Sequence, residues 1–180
     1  MLLHLYAQRL EELYGDMAER FAVEGGWKPI AAGPEEGEEP GRVPYTGWKN
    51  KFIVILFEQK ANLARYVGRY VGTEQDSACR HWFADSEAML FATSREACAS
   101  WPDEDTAFLC HLTANMVHVF LNAYGGYKYR VPLWWGEGLK HWYVRRIDHE
   151  FFNPTTAKGQ KLDYRRDHEW NKKVLARIKQ

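Results

Sequence analysis

Three side chains in residues 114–142, ANMVHVFLNAYGGYKYRVPLWWGEGLKHW, are of the types that hold metal ions in proteins. His118 and Glu137 are separated by 18 residues, and His141 follows Glu137 by four positions. Residues four positions apart share one face of a helix, so Glu137 and His141 would lie on the same side. If His118 faces them from a neighbouring helix, the three side chains could converge on one metal ion.

The helix expected for residues 103–124 carries one narrow strip of positions that lack a large apolar side chain. At 100° per residue these positions fall within an arc of about 100°. They are His111, Ala114, Asn115, His118 and Asn122. Large apolar side chains cover the rest of the circumference, and a helix of this kind is mostly buried. The strip therefore faces either solvent or a cleft.

The elements that must position these residues are predicted from periodicity. Apolar residues at three- and four-residue steps indicate a helix over residues 3–21. Residues 24–50, which are rich in Gly, Pro and acidic residues, indicate a long surface loop. The run KFIVILF at 51–57 indicates a strand buried on both faces. Residues 58–71 indicate a helix that ends near Gly72.

The second half of the chain adds a hairpin and further helices. Residues 81–84 and 89–92 indicate two short strands paired around 85–87. Asp103 is typical of a helix start, and Gly125-Gly126 of a helix end. Residues 136–147 and 167–178 indicate two more helices. This order predicts an α+β fold with one small sheet packed on helices, in a single domain over residues 1–180.

Charge and composition argue against several functional classes. Lys and Arg number 24, as do Asp and Glu, so no basic surface for nucleic acid is indicated. No apolar stretch of about 18 residues indicates a membrane span, and the first residues are not typical of a signal peptide. The three cysteines show no CxxC spacing, so neither a disulfide framework nor a cysteine-rich zinc site is indicated. A reduced, cytoplasmic location is expected.

The spacing from His118 to Glu137, and the setting LWWGEGL around that glutamate, resemble the gluzincin metallopeptidases of the peptidase MA clan. In the aminopeptidase branch of that clan the pattern is HExxH, 18 residues and then Glu within W-x-E-G. The two His and the distant Glu hold zinc, and the Glu inside HExxH activates the zinc-bound water. The resemblance covers residues 103–147 well, and the strand and helix at 52–71 only in order. It implies a zincin-like fold.

The chain departs from the pattern at the positions that do the chemistry. Ala114 stands where the first zinc ligand would be, and Asn115 stands where the catalytic glutamate would be. Alanine has no lone pair for a metal, and an amide cannot accept a proton at neutral pH. His141 stands where the family often has an acidic residue that orients a ligand. A degenerate, catalytically inactive motif is therefore expected.

Three functions follow from these residues. The first is a pseudopeptidase with no catalytic residues and no cofactor, which binds a peptide or protein partner in an inherited cleft. The residues expected to line that cleft are His111, Asn115, His118, Glu137 and His141. The second is a zinc-dependent hydrolase with the ligands His118, Glu137 and His141. The third is a structural or assembly domain in which Glu137 pairs with a neighbouring base such as Lys140 or Arg145.

Overall fold

A computed structural model of the chain describes residues 3–21, 52–83, 88–99, 103–124 and 132–151. Its helices are α1 (Leu3–Arg20), α2 (Lys60–Tyr70), α3 (Glu104–Tyr124) and α4 (Leu133–Arg145), and its strands are β1 (Ile53–Phe57), β2 (Ala78–Phe83) and β3 (Ala88–Ser94). These elements confirm the α+β prediction. The expected loop at 24–50 and the expected helix at 167–178 lie outside the described residues. None of the four described helices combines the length and apolar character needed to cross a bilayer.

The three described strands form one mixed sheet in the order β1-β3-β2. β3 pairs with β1 in parallel and with β2 antiparallel, so that Leu90 lies opposite both Ile53 and His81. The predicted antiparallel pairing of the hairpin is confirmed. Both strands are longer than the predicted runs 81–84 and 89–92. β1 was expected to be buried on both faces, and all five of its residues are instead half-buried.

Alternation along the strands directs side chains into two separate apolar clusters. On one face of the sheet, Leu90 and Ala92 pack with Leu63 and Val67 of α2. On the other face, Met89 and Phe91 belong to the larger cluster. That cluster also contains residues of α1, α3 and α4, namely Tyr6, Leu13, Met17, Phe108, Leu112, Val117, Phe120, Tyr143 and Val144. The sheet therefore lies between α2 and a layer formed by the other helices.

α3 is the central helix of the larger cluster, as its largely apolar circumference predicted. Thirteen of its 21 residues are buried. Its first turn is capped by Asp103, whose carboxylate accepts a hydrogen bond from the backbone N–H of Thr106 at 3.1 Å. The predicted start near Asp103 and end at Tyr124 are confirmed.

α4 begins at Leu133, three residues before the predicted start at Gly136. The reason is Pro132, which the sequence suggested as a break in the chain. The restricted φ of proline suits the start of a helix, and the Pro132 carbonyl accepts the N–H groups of Trp135 and Gly136 at 3.0 and 3.1 Å. The helix ends at Arg145, two residues before the predicted end. Glu137 therefore lies in the second turn of α4, with a full turn of helix before it.

Candidate functional site

The structure brings His118 of α3 and Glu137 of α4 together. The imidazole Nε2 of His118 lies 3.2 Å from the carboxylate Oε1 of Glu137. The two side chains are 20% and 17% exposed, so the pair lies at the edge of the core and remains in contact with solvent. Two residues 19 positions apart meet because α3 and α4 pack side by side along their lengths.

Lys140 is the third member of this group, one helical turn beyond Glu137. Its ammonium Nζ donates a hydrogen bond to Oε2 of Glu137, the oxygen that does not face His118. Lys140 is only 4% exposed, which is unusual for a lysine. Burial lowers its pKa, and the hydrogen bond and charge of Glu137 oppose that shift. Glu137 thus lies between an imidazole and a buried ammonium.

Ala114 and Asn115 lie on α3 beside this group, and their contacts are those of structural residues. The Ala114 methyl is 1% exposed. The side-chain Nδ2 of Asn115 donates to the backbone carbonyl of His111, one turn earlier, at 2.9 Å. This contact fixes the amide against its own helix. Neither side chain can accept a proton from water in this arrangement.

His111 joins α3 to the sheet. Its Nε2 lies 2.9 Å from the hydroxyl of Thr93, and that hydroxyl donates to the carbonyl of Ser77 at 2.6 Å. Because a carbonyl can only accept, the hydroxyl proton points to Ser77, and His111 must donate from Nε2. Burial, and secondly the charge of Arg80, lower the pKa of His111 to about 4. His111 is therefore neutral and acts as an internal link between α3 and β3.

His141 lies one turn beyond Glu137 on α4 and is half-buried. Burial and, secondly, the Lys140 charge lower its pKa to about 4, against the opposing effect of the Glu137 charge. The side chain is therefore neutral at physiological pH. Lys140 and His141 are thus both affected by the charge of Glu137.

The resemblance to gluzincins implies a zinc ion, and the described residues fit it poorly. Catalytic zinc takes three protein ligands and a water. Within the ranges described, no group of three His, Cys, Asp or Glu side chains is placed to hold a metal. His118 and Glu137 supply two donors, and the ammonium of Lys140 already contacts one oxygen of that carboxylate. A dication at this position would also be repelled by that ammonium.

The pairing of Glu137 with Lys140, which the sequence analysis named in its third alternative, is present in the structure. The sequence did not indicate that this lysine would be buried. The charged residue of this region that the sequence missed is Arg80 of β2. Its charge lowers the pKa of both His111 and Lys140. Nothing in the local sequence around Arg80 indicates that β2 lies near α3 and α4.

Comparison of the chain with protein-family models, with curated proteins and with solved structures found no match.

Proposed function

We propose that this chain is a catalytically inactive, metallopeptidase-like domain with a zincin-like fold that binds a peptide or protein partner beside His118 and Glu137. The observation that carries the proposal is the position of Glu137 between two basic side chains. His118 contacts one carboxylate oxygen and Lys140 contacts the other. The spacing of a metal-dependent site is retained, while a lysine supplies the positive charge that such a carboxylate requires.

Chemical arguments support the absence of peptidase activity. A hydrolase of this type needs a carboxylate that takes a proton from metal-bound water. Asn115 holds that position and its amide is hydrogen-bonded to the helix backbone. Glu137 is poorly placed to replace it, because one of its carboxylate oxygens already accepts a hydrogen bond from the buried ammonium of Lys140. The zinc-dependent alternative needs Glu137 and His118 to exchange these contacts for a metal.

A structural or assembly domain is the second candidate, and the contact between Glu137 and Lys140 favours it. Buried ion pairs often serve packing specificity and need no ligand. The two candidates differ at the partly exposed His118, because a ligand in the proposed cleft would contact that side chain and a structural role would not require it.

The cytoplasmic location also belongs to this proposal. Cys79, Cys98 and Cys110 are all buried and free. Burial raises the pKa of the Cys98 thiol to about 12, so it is protonated and unreactive. Three unpaired thiols are typical of proteins from reducing compartments.

The test combines hydrolysis and binding on the purified chain. We expect no hydrolysis of a mixed peptide library with added zinc. Turnover that disappears in Glu137→Ala would overturn the proposal. We also expect peptides from the same library to bind, with at least a tenfold loss of affinity in His118→Ala.

The matched control for the binding experiment is His149→Ala, because His149 is exposed and lies beyond the end of α4. This variant should bind the selected peptides as the wild type does. If no peptide binds, or if His118→Ala changes only the melting temperature, the structural candidate replaces the binding proposal.

A further inference from the structure

A cavity lies between α1, α3 and α4, away from the group formed by His118, Glu137 and Lys140. Its volume is about 570 Å³, which falls within the range of about 300–1,000 Å³ typical of small-molecule sites. α3 contributes Leu109 and Thr113 to its wall. These positions are about 180° and 140° from His118 around the helix. The cavity and the candidate site therefore lie on different faces of α3.

The cavity wall combines aliphatic surface with one threonine hydroxyl. Leu13, Leu109 and Ile147 supply the aliphatic surface, one from each of the three chain segments that surround the cavity. Thr113 is 5% exposed. Its hydroxyl can donate one hydrogen bond to an anion in the cavity.

The carboxylates of the wall already have partners. Glu12 accepts a hydrogen bond from Arg9 at 2.7 Å. Asp16 accepts from Nε and a terminal nitrogen of Arg20 at 2.8 and 3.1 Å, and from the Tyr143 hydroxyl at 2.5 Å. These contacts neutralise both acids within the protein.

Arg146 is the cation of the wall that forms no ion pair with a carboxylate of the described residues, although its charge, after the hydrogen bonds from Arg20 and Tyr143, helps to lower the pKa of Asp16. Its guanidinium lies over the Trp142 ring, 4.8 Å from the ring centroid. Stacking engages the face of the guanidinium and leaves the N–H groups along its edge able to donate. The edge of a guanidinium matches the two oxygens of a carboxylate, which it binds through two parallel hydrogen bonds.

We propose that this cavity binds a small carboxylate that carries an aliphatic tail. Arg146 binds the carboxylate, Thr113 donates a further hydrogen bond, and the tail packs on Leu13, Leu109 and Ile147. A single planar monoanion fits better than a phosphate dianion, because one guanidinium supplies one positive charge and its edge matches the two oxygens of a carboxylate. This inference does not depend on the proposed function of the His118 site.

Isothermal titration calorimetry with decanoate tests the proposal. We expect binding of one decanoate per chain, and at least tenfold weaker binding of acetate, which lacks the tail, and of decylamine, which reverses the charge. N-acetyl-leucine is titrated as a further ligand in the same experiment. Tighter binding of this compound than of decanoate would identify the C-terminal residue of a peptide as the source of the carboxylate, and the reverse order would identify a free aliphatic acid.

Variants of the wall decide whether the binding occurs in this cavity. Arg146→Gln should weaken decanoate binding at least tenfold. Arg145→Gln removes the same charge from the adjacent, exposed position outside the cavity wall, and should change the affinity less than twofold. Thr113→Val, which keeps the shape of the side chain, should weaken binding several-fold. Leu109→Trp should weaken binding at least tenfold by placing an indole ring where the tail packs, while leaving every charge in place.

Three results would overturn the proposal. They are an equal affinity for decanoate and decylamine, an equal loss in Arg145→Gln and Arg146→Gln, and full binding in Leu109→Trp. If Arg146→Gln does not fold, Thr113→Val and Leu109→Trp still decide the question, because neither changes a charge. His118→Ala should leave decanoate binding unchanged, so the result is independent of the candidate peptide site.

Discussion

Replacing Lys140 with methionine tests whether the buried ammonium is what makes the Glu137 carboxylate stable in the core. Methionine retains an unbranched apolar chain of similar length and removes only the charged end. In Lys140→Met, Glu137 loses the partner of its Oε2 and keeps His118 beside Oε1. The change therefore removes the Lys140 charge and leaves the His118 contact in place.

The expected cost follows from the burial of the pair. Removing one member of a buried ion pair costs about 3–5 kcal/mol, because the other charge is left without compensation. Lys140 is 5% exposed at its side chain, whereas Glu137 is 17% exposed and can gain hydration. We therefore expect the lower end of the range, about 3 kcal/mol. For a domain of this size that is a fall of roughly 6–12 °C in melting temperature.

Urea unfolding of a double-mutant cycle measures this coupling. The cycle consists of the wild type, Lys140→Met, Glu137→Gln and the double variant. Each single change removes the attraction between the two charges and leaves one of them in the core, whereas the double change removes both charges. The double variant should therefore be less destabilised than the sum of the single variants by about 2 kcal/mol or more. Arg145→Met, at an exposed position of the same helix, should lie within about 0.5 kcal/mol of the wild type.

If Lys140→Met unfolds at the same urea concentration as the wild type, the Lys140 ammonium does not stabilise the Glu137 carboxylate in the core. The same conclusion follows if the two single changes are additive, because additivity would mean that the charges do not stabilise each other.

Three further predictions concern other parts of the fold. The free energy of unfolding should fall as the pH drops from 6.5 towards 4. The folded-state pKa of His111, about 4, lies below its ordinary value of 6.5, so the unfolded chain takes up the proton first. Urea titrations across this range should show a smaller fall in His111→Gln, and an unchanged fall would contradict the assignment of this pKa to His111. Thr93→Val should cost about 1–3 kcal/mol in the same assay by removing the acceptor of the His111 N–H, and a neutral result would mean that this hydrogen bond is absent in solution. Gly138→Ala should stabilise the protein by about 0.5–1 kcal/mol, because a methyl group at this α4 position meets no atom within 4 Å, and a loss of stability would show that α4 is packed differently.

The sequence predicted the elements whose signals are local. The apolar stripe of α1 and the almost continuous apolar surface of α3 are each readable within one segment, as are the capping Asp103 and the strand β1. The β2–β3 hairpin was predicted from two neighbouring runs and is confirmed. The pairing of β1 with β3 was not predictable in the same way, because α2 and β2 separate these strands along the chain. Pairing over such a separation depends on how whole elements pack, which no short stretch of sequence records.

The candidate site was also predictable only in part. The interval of 18 residues suggested that His118 and Glu137 meet, and they do so at 3.2 Å. The burial of Lys140 depends on the rotation of α4 about its own axis relative to α3, which the local sequence does not indicate. Even the start of α4, at Leu133 and not at Gly136, was not predicted. His111 was expected in the cleft because it shares a helix face with His118. Its actual contact, the hydroxyl of Thr93, comes from a strand that the sequence could not place beside α3.

Calorimetric titration of zinc into the wild-type chain is the most direct test of the claim that Lys140, and not a metal ion, provides the positive charge beside Glu137. We expect no binding of one zinc per chain and no zinc-dependent rise in melting temperature. The claim would be contradicted by stoichiometric zinc binding that is lost in both His118→Ala and Glu137→Ala, because those two residues would then be metal ligands.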